Sequence, residues 1–248
     1  MPATPAWPPK SAPRLFVTVP LAAGASVIVD GPQVHYLAKV MRVSEGAAVI
    51  LCDDITGEWA ARVTAVTKRG LTLTPEIRLR PREQAPDFTL CAALLKKPHF
   101  DLVLEKATEL GVRRIQPVLT RRCVADRLNP ERARAIITEA AEQCARTALP
   151  ELAEPVKLDA LLRDWPQTRV LFFADEAGGE PATAAYGQNP GPAGLLIGPE
   201  GGFDDAERAA IRALPQACAI SLGPRILRGE TAAIAATGLW MALAGDWK

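Results

Sequence analysis

The feature that most constrains this chain is the alternation of short apolar runs with amphipathic segments from residue 88 onward. Strand-length apolar runs occupy 88–95, 113–120, 168–175, 194–200 and 217–223, and segments with helical periodicity occupy 99–110, 129–147, 204–214 and 231–245. Asn129 and Pro130 fit the N-cap and first position of a helix. Strands alternating with helices predict an α/β fold with a parallel sheet and ligands at the carboxyl ends of its strands.

Residues 14–80 have a different pattern, in which short strand-like runs are separated by glycine and aspartate turns. Asp53 and Gly57 fit one such hairpin turn, and a short helix is expected at 32–41. Because closure removes exposed strand edges, five short strands predict a small β-barrel. The expected organisation is a disordered proline-rich lead-in at 1–13, the barrel at 14–80, a linker at 81–87 and the α/β domain at 88–248.

The overall charge argues against a protein that binds nucleic acid through bulk positive charge. Lys and Arg number 29 and Asp and Glu number 28, so any RNA binding must use local patches. The 5 cysteines are scattered and never spaced as CxxC, which favours reduced thiols over a disulfide framework or a zinc site. We found neither a membrane-length apolar run nor a signal-peptide pattern, and therefore expect a cytoplasmic protein.

A glycine-rich loop follows the apolar run at 195–197 and precedes a helix. Gly198, Gly201 and Gly202 would let the backbone come close to a ligand. A phosphate site is disfavoured, because the loop lacks the Lys-Ser/Thr of a P-loop and is followed by acidic residues. A backbone-bound adenosyl group fits better, and the alternative is a tight turn that needs glycine for its φ angles.

A second loop of the same design lies at 220–234, where Arg225, Arg228 and Glu230 stand at the start of the last helix. These three residues alone are equally compatible with a salt-bridge cluster at a helix start. Two such loops at the ends of neighbouring strands would, however, form one cleft.

Several other polar residues have both a functional and a simpler interpretation. Gln143 and Arg146 could read a base edge or a phosphate, although Glu142 and Arg146 at helical spacing are more often a solvated pair. The densest basic region comprises Arg113, Arg114, Arg121, Arg122 and Arg127, for which a solvated face is as good an explanation. His35 and His99 are interpreted as surface or capping residues, because no serine or cysteine arrangement accompanies them.

Six blocks in order resemble the ribosomal RNA uridine-N3 methyltransferases, the small subunit methyltransferase E family of the knotted SPOUT superfamily. The blocks are HYLAKVMR at 35–42, LEKATELGV at 104–112, RRC at 121–123, EQCAR at 142–146, LLIGPEGGF at 195–203 and LGPRILRGETA at 222–232. One GPEGG motif would be weak evidence, whereas the full ordered set is highly specific.

The resemblance implies a C-terminal methyltransferase domain with a trefoil knot, an N-terminal PUA-like RNA-binding barrel and a homodimer. It also implies S-adenosylmethionine as cofactor and a uridine of 16S ribosomal RNA in the small subunit as substrate. No metal and no membrane partner are expected. The implied cofactor contacts are Phe172, Ile197, Gly198, Pro199, Glu200, Gly201, Gly202, Leu222, Gly223, Ile226 and Leu227. The implied RNA contacts are Arg14, His35, Arg42, Arg121, Arg122, Gln143 and Arg146.

The implied chemistry needs an unpaired uridine, because N3 lies on the Watson–Crick edge and loses its proton. Arg228 or Arg225 is expected to stabilise the uracil anion, with Glu230 fixing the arginine or assisting proton removal. The chain departs from the family at Pro98 and His99, where charged residues are expected, and at Gly229, where a larger residue is usual.

Other functions stay open at this point. In a rival interpretation, the protein keeps the fold but methylates a ribose 2′-hydroxyl or another base, since a fold does not fix a substrate. A non-catalytic ribosome-assembly factor and a nucleotide-dependent enzyme belong to different classes. The near-neutral charge also suggests that the assembled subunit, rather than naked RNA, is recognised.

Overall fold

The computed structural model describes residues 7–35, 37, 41–67 and 70–247, which form two compact units. The first unit comprises 1–84 together with 141–148, and the second comprises 85–140 and 149–248. The segment 141–148, assigned from the sequence to the α/β domain, therefore belongs to the first unit. Parts of the expected lead-in and of the expected helix at 32–41 lie outside the described residues.

The first unit is a five-stranded sheet with the order β1-β3-β4-β5-β2. Its elements are β1 (Arg14–Phe16), β2 (Val27–Val29), α1 (Gly31–His35), β3 (Ala48–Cys52), β4 (Glu58–Val66) and β5 (Leu71–Arg80). β1 pairs with β3 in parallel, and the other pairs are antiparallel. Leu15, Val49, Leu51, Val63 and Leu71 form much of its core. β1 and β2 are the two edge strands of this sheet, and no pairing joins them within the described part of the chain.

The turn between β3 and β4 is organised by one buried carboxylate, as the hairpin prediction anticipated. Asp53 Oδ1 accepts hydrogen bonds from the backbone N–H groups of Ile55 (3.0 Å), Thr56 (2.7 Å) and Gly57 (3.2 Å), and Oδ2 accepts from Leu21 N–H (2.8 Å). Burial by itself raises the pKa of Asp53, but these bonds overcome it and lower the pKa. The ionised carboxylate therefore supplies the stabilising acceptor.

The second unit is a parallel sheet with the order β11-β13-β10-β12-β6-β7-β8, in which β9 also pairs with β7. Its strands are β6 (Phe88–Ala93), β7 (Arg114–Leu119), β8 (Glu151–Leu152), β9 (Val156–Lys157), β10 (Val170–Ala174), β11 (Glu180–Pro181), β12 (Ala193–Ile197) and β13 (Ala217–Ser221). The helices are α2 (Lys97–Glu109), α3 (Pro130–Gln143), α4 (Leu158–Arg163), α5 (Ala182–Gln188), α6 (Asp205–Ala213) and α7 (Gly229–Leu243). The predicted α/β class with a parallel sheet is confirmed.

The helix boundaries follow from local capping. Asn129 Oδ1 accepts from Arg132 N–H at 3.0 Å, which confirms the predicted N-cap of α3. At its other end, Ala145 adopts a φ of +61° and Arg146 N–H donates to Ala141 O at 3.0 Å, the pattern of a Schellman motif. The helix thus ends before Arg146, so Glu142 and Arg146 do not lie one turn apart on a continuous helix.

The sheet of the second unit is covered by apolar helix faces. Phe88, Leu90, Phe172 and Leu195 belong to one core cluster that also contains Trp240 of α7. Phe88 and Trp240 stack with ring centroids 4.2 Å apart. None of the helices in the described ranges is long and apolar enough to cross a bilayer. This packing fixes the carboxyl ends of β6, β10, β12 and β13 along one edge.

Replacing Asp53 by Asn tests the turn. The amide cannot accept all of these hydrogen bonds, so we expect the free energy of unfolding to fall by about 1–3 kcal/mol at pH 7. Because folding lowers the pKa of Asp53, its contribution is present above the unfolded carboxyl pKa and is lost as pH falls through the folded value. The difference between parent and variant should therefore shrink below about pH 4.

Urea unfolding at several pH values measures this difference. The neighbouring Asp54→Asn variant is the control, because Asp54 forms an exposed ion pair with Arg82 and asparagine tolerates its φ of +57°. Equal losses in the two variants would contradict the role assigned to Asp53.

Candidate active site

A cavity of about 400 Å³ opens at the carboxyl ends of β10, β12 and β13. Three chain segments line it: residues 174–178 after β10, the glycine loop 197–203 after β12, and the loop 220–229 between β13 and α7. We call this cavity the cleft. Its position confirms the prediction that the two glycine-containing loops form one cleft.

The glycine loop is compact because its glycines approach other groups closely. A Cβ on Gly202, whose φ is +66°, would lie 3.0 Å from Glu176 Oε1. A Cβ on Gly198 would lie 3.1 Å from the Phe203 ring. Gly202 N–H donates to Pro199 O at 2.9 Å, which closes the turn. The loop therefore presents backbone rather than side chains to the cleft at these positions.

The loop leads directly into a capped helix. Asp204 Oδ1 accepts from Glu207 N–H at 2.7 Å, and the Glu207 side chain accepts from Asp204 N–H at 3.1 Å, forming a capping box at the start of α6. The Glu207 N–H group lowers the pKa of Asp204, and Arg121 reinforces this effect. These carboxylates stabilise the helix end of the loop.

Sequence analysis missed an acidic and basic cluster at the end of β10. Asp175, whose side chain is 1% exposed, forms ion pairs with Arg208 (3.1 Å) and Arg212 (2.7 Å) of α6. Arg208 also pairs with Glu176 at 3.1 Å. The i, i+4 spacing of the two arginines and the Asp-Glu pair after an apolar strand were the available signals. Asp175, Glu176 and Arg208 all line the cleft.

The three predicted catalytic residues lie close together in sequence at the start of α7, but two are exposed and one is buried. Arg225 and Arg228 are exposed and line the cleft. Glu230 is buried, and its Oε1 lies 2.9 Å from His99 Nδ1. Among the described residues Glu230 pairs with His99 and not with an arginine, so His99 is more than a surface or capping residue.

Gly229 occupies a position where the chain approaches itself closely. A Cβ there would lie 3.1 Å from Leu95 Cδ2 and 3.3 Å from Gly198 O. Glycine thus lets the start of α7 approach both the end of β6 and the glycine loop, which accounts for the departure noted in the sequence.

Most of the predicted cofactor residues line the cleft. They are Ile197, Gly198, Pro199, Glu200, Gly202, Leu222, Gly223, Ile226 and Leu227. Phe172 does not line it, because this side chain is fully buried in β10 and packs edge-on against Tyr186 with centroids 4.7 Å apart. Gly201 is also not part of the lining, and its carbonyl oxygen accepts from Arg122 Nη1 at 2.8 Å.

The predicted RNA contacts of the second unit brace the glycine loop. Arg122 binds the Gly201 carbonyl, and Arg121 Nη1 lies 3.0 Å from Asp204 Oδ2. Both arginines remain exposed. They are therefore not simply a solvated face.

The predicted RNA contacts of the first unit fall into two groups. Arg14 pairs with Glu58, and the buried Arg146 pairs with Glu83 at 2.6 Å, so their guanidinium groups are engaged in holding this unit together. Arg42 and Gln143 are exposed. The side chain of His35 lies outside the described part of the structure.

Comparison with known families gives two matches. A family of RNA methyltransferase domains matches residues 82–241, and a family of RNA methyltransferase PUA domains matches residues 29–76. A ribosomal RNA small subunit methyltransferase E from Synechocystis is 32% identical over 88% of this chain and 74% of its own length.

This chain belongs to the ribosomal RNA small subunit methyltransferase E family. The resemblance stated from the sequence blocks is thereby confirmed. The family member from Bacillus subtilis is 30% identical over 82% of this chain and 85% of its own length.

Two solved methyltransferase structures have the same fold. A methyltransferase from Legionella pneumophila, solved with bound S-adenosylmethionine, is 29% identical with a TM-score of 0.84 and covers 95% of this chain and 99% of its own. The Neisseria gonorrhoeae ribosomal RNA small subunit methyltransferase E, also bound to S-adenosylmethionine, is 26% identical with a TM-score of 0.86, over 96% and 100% of the two chains.

Replacing His99 by Ala tests the pairing beside the cleft. The change leaves the buried Glu230 carboxylate without its observed partner, so we expect the free energy of unfolding to fall by about 1–3 kcal/mol. Urea unfolding measures the loss. His99→Gln, which can still donate a hydrogen bond, should recover part of it, and the exposed Lys97→Ala serves as the control on the same helix. Unchanged stability of His99→Ala would show that the pair is energetically unimportant.

Proposed function

We propose that this protein transfers the methyl group of S-adenosylmethionine to N3 of a uridine in the decoding region of 16S ribosomal RNA. The single observation that carries the proposal is the cleft formed by the two glycine-containing loops, in a chain of the methyltransferase E family. Relatives with the same fold over almost the whole chain are described with S-adenosylmethionine bound. The protein is an S-adenosylmethionine-dependent ribosomal RNA methyltransferase.

The residues of the cleft fit this cofactor. Ile197, Leu222 and Leu227 supply apolar surface for an adenine ring, and the glycine loop supplies backbone groups where a Cβ would obstruct. Glu176, half exposed in the same cleft, supplies a carboxylate suited to hydroxyl or ammonium groups. A carboxylate near a positively charged ligand is also favourable electrostatically.

S-adenosylmethionine supplies a methyl group that its positively charged sulfur has already activated. The protein must therefore hold the uridine in line with that group and stabilise the negative charge on the uracil. Arg225 and Arg228 are assigned this role, because both are exposed cations in the lining of the cleft and the described residues place no carboxylate at ion-pair distance from either.

The His99–Glu230 pair offers a route for the N3 proton. A carboxylate on Nδ1 fixes the histidine tautomer and leaves Nε2 as an acceptor. Glu230 follows Gly229, which lines the cleft, and the pair itself is not among the lining residues. Glu230 is thus assigned to positioning His99 rather than an arginine.

The finer architecture follows the family resemblance. We assign residues 14–80 to a PUA-like RNA-binding barrel and residues 88–248 to the methyltransferase domain, with 81–87 as the linker and 141–148 packed with the first unit. A trefoil knot is supported by the path of the chain after β13. β13 lies on the far side of β10 from β12, yet α7, which follows it, contacts β12, β6 and α2.

A homodimer is supported by the outer face of α7. Leu239 and Leu243 are exposed one turn apart on α7, and Trp247, which follows the end of the helix and lies near Gly238, is 52% exposed. A second copy of the chain would cover these apolar side chains. A ribosomal substrate also favours a cytoplasmic location, where the assembled small subunit can supply part of the binding surface.

Calorimetric titration with S-adenosylhomocysteine tests the cofactor assignment. We expect binding by the parent and at least a tenfold weaker affinity for Gly202→Ala, because a Cβ there is strained and meets Glu176. Gly187→Ala is the matched control, since nothing lies within 4 Å of the added atom. Absence of binding by the parent would favour the non-catalytic assembly factor.

Methyl transfer to small subunits that lack the modification tests the reaction. We expect mass spectrometry of the RNA digest to locate the methyl group on N3 of one uridine. Arg228→Ala should lower kcat by about 100-fold or more, because it removes a group that stabilises transition-state charge, and should leave S-adenosylhomocysteine affinity nearly unchanged. The exposed Arg163→Ala is the control. A methylated ribose or another base would refute the N3 assignment.

A further inference from the structure

A second cavity, of about 570 Å³, lies at the carboxyl end of β6 beside the start of α3. We call it the α3 pocket. Leu94, Leu95, Phe100, Ala125 and Leu128 supply its apolar wall. Its volume lies within the range of small-ligand pockets, roughly 300–1,000 Å³.

One side chain of the α3 pocket lies next to a residue that lines the cleft. Leu95 lines the pocket, and its Cδ2 lies 3.1 Å from the position of a Cβ on Gly229, which lines the cleft. β6 and β12 are also neighbours in the parallel sheet, so the two cavities open along the same sheet edge. A polymeric substrate that reaches the cleft therefore passes close to the α3 pocket.

The rim of the α3 pocket favours a phosphate group. Lys97 and Arg127 are exposed lining residues, and Arg127 has only a long 3.5 Å contact with the equally exposed Asp126. Asp101 is neutralised by Arg132 at 2.6 Å, which leaves Glu131 as the one lining acid without an ion pair in the described ranges. Net positive charge above an apolar wall suits the phosphate and the base of a nucleotide.

We propose that the α3 pocket binds one nucleotide of the substrate RNA. Its base lies against the apolar wall that includes Leu94 and Phe100, and its phosphate lies near Lys97 and Arg127. This inference rests on the proposed function and adds to it a subsite for the RNA. A nucleotide is favoured over a protein side chain because the pocket lies along the same sheet edge as the cleft and carries exposed cations at its rim.

Filling the pocket tests the proposal. We expect Ala125→Phe to raise KM for the small-subunit substrate at least tenfold, with S-adenosylhomocysteine affinity within twofold of the parent. The matched control is Val124→Phe, because the adjacent Val124 is 65% exposed and does not line the pocket. An unchanged KM in Ala125→Phe would overturn the proposal. Failure of the parent to bind S-adenosylhomocysteine or methylate RNA would instead refute the proposed function.

A charge variant keeps the test decisive if Ala125→Phe misfolds. The double variant Lys97→Ala, Arg127→Ala changes only exposed side chains, and Arg134→Ala, Arg163→Ala is its control. If the contacts with this phosphate are lost, the slope of log affinity against log salt concentration should become shallower by about 0.7. A slope equal to that of the control would overturn the phosphate contacts.

Crosslinking identifies which nucleotide enters the pocket. Substrate RNA carrying 4-thiouridine at the target position, or at each neighbouring position, is irradiated with the parent protein and the crosslinked peptides are mapped. Because the target base is assigned to the cleft, crosslinks to 94–101 or 125–133 from a neighbouring position would support a flanking-nucleotide site in the α3 pocket, and crosslinks there from the target position alone would overturn it. Crosslinks confined to other peptides would overturn the proposal.

Discussion

Parallel pairing of β10 with β12 on one side and β13 on the other is the constraint on which the site depends. In a parallel arrangement, the loops after all three strands emerge at the same edge, so residues far apart in sequence become neighbours. The register is held by strands whose residues are almost all apolar, as in sheets covered on both faces. Gly229 then allows α7 to begin against Leu95 and Gly198 O, which joins the end of β6 to the same edge.

Buried ion pairs beside the cleft restrict the conformations of the segments that line it. Asp175 is almost fully buried and is compensated by two arginines of α6, so the end of β10 is tied to the helix that follows the glycine loop. A buried carboxylate that lost such partners would be costly, which restricts the positions that these loops can adopt. Glu230, a buried carboxylate at the start of α7, is likewise paired with His99. Each pair thus limits the motion of a segment that lines the cleft.

The main elements and both glycine-containing loops could be predicted because their signals are local. Apolar runs, helical periodicity and Asn129 as N-cap each depend on residues within one element. The two-residue strands β8, β9 and β11 were missed, since such lengths carry no periodicity, and α4 and α5 are also short. Tertiary partners were not predictable for a different reason. Arg146 was interpreted as an RNA contact, yet its partner Glu83 lies 63 residues away, and nothing local reveals that the guanidinium is buried.

The use of arginine in this chain also explains how a nearly neutral protein can act on RNA. Many of its arginines are structural: Arg122 braces the glycine loop, and Arg208 compensates buried acid. Such groups are held by protein carboxylates or carbonyls and contribute little net charge to an RNA surface. The cations that remain uncompensated in the second unit include Arg225 and Arg228 at the cleft and Lys97 at the α3 pocket. Because exposed cations without ion pairs in the described part of the chain line both cavities and the net charge is only +1, RNA affinity should depend on fit within these cavities more than on bulk attraction.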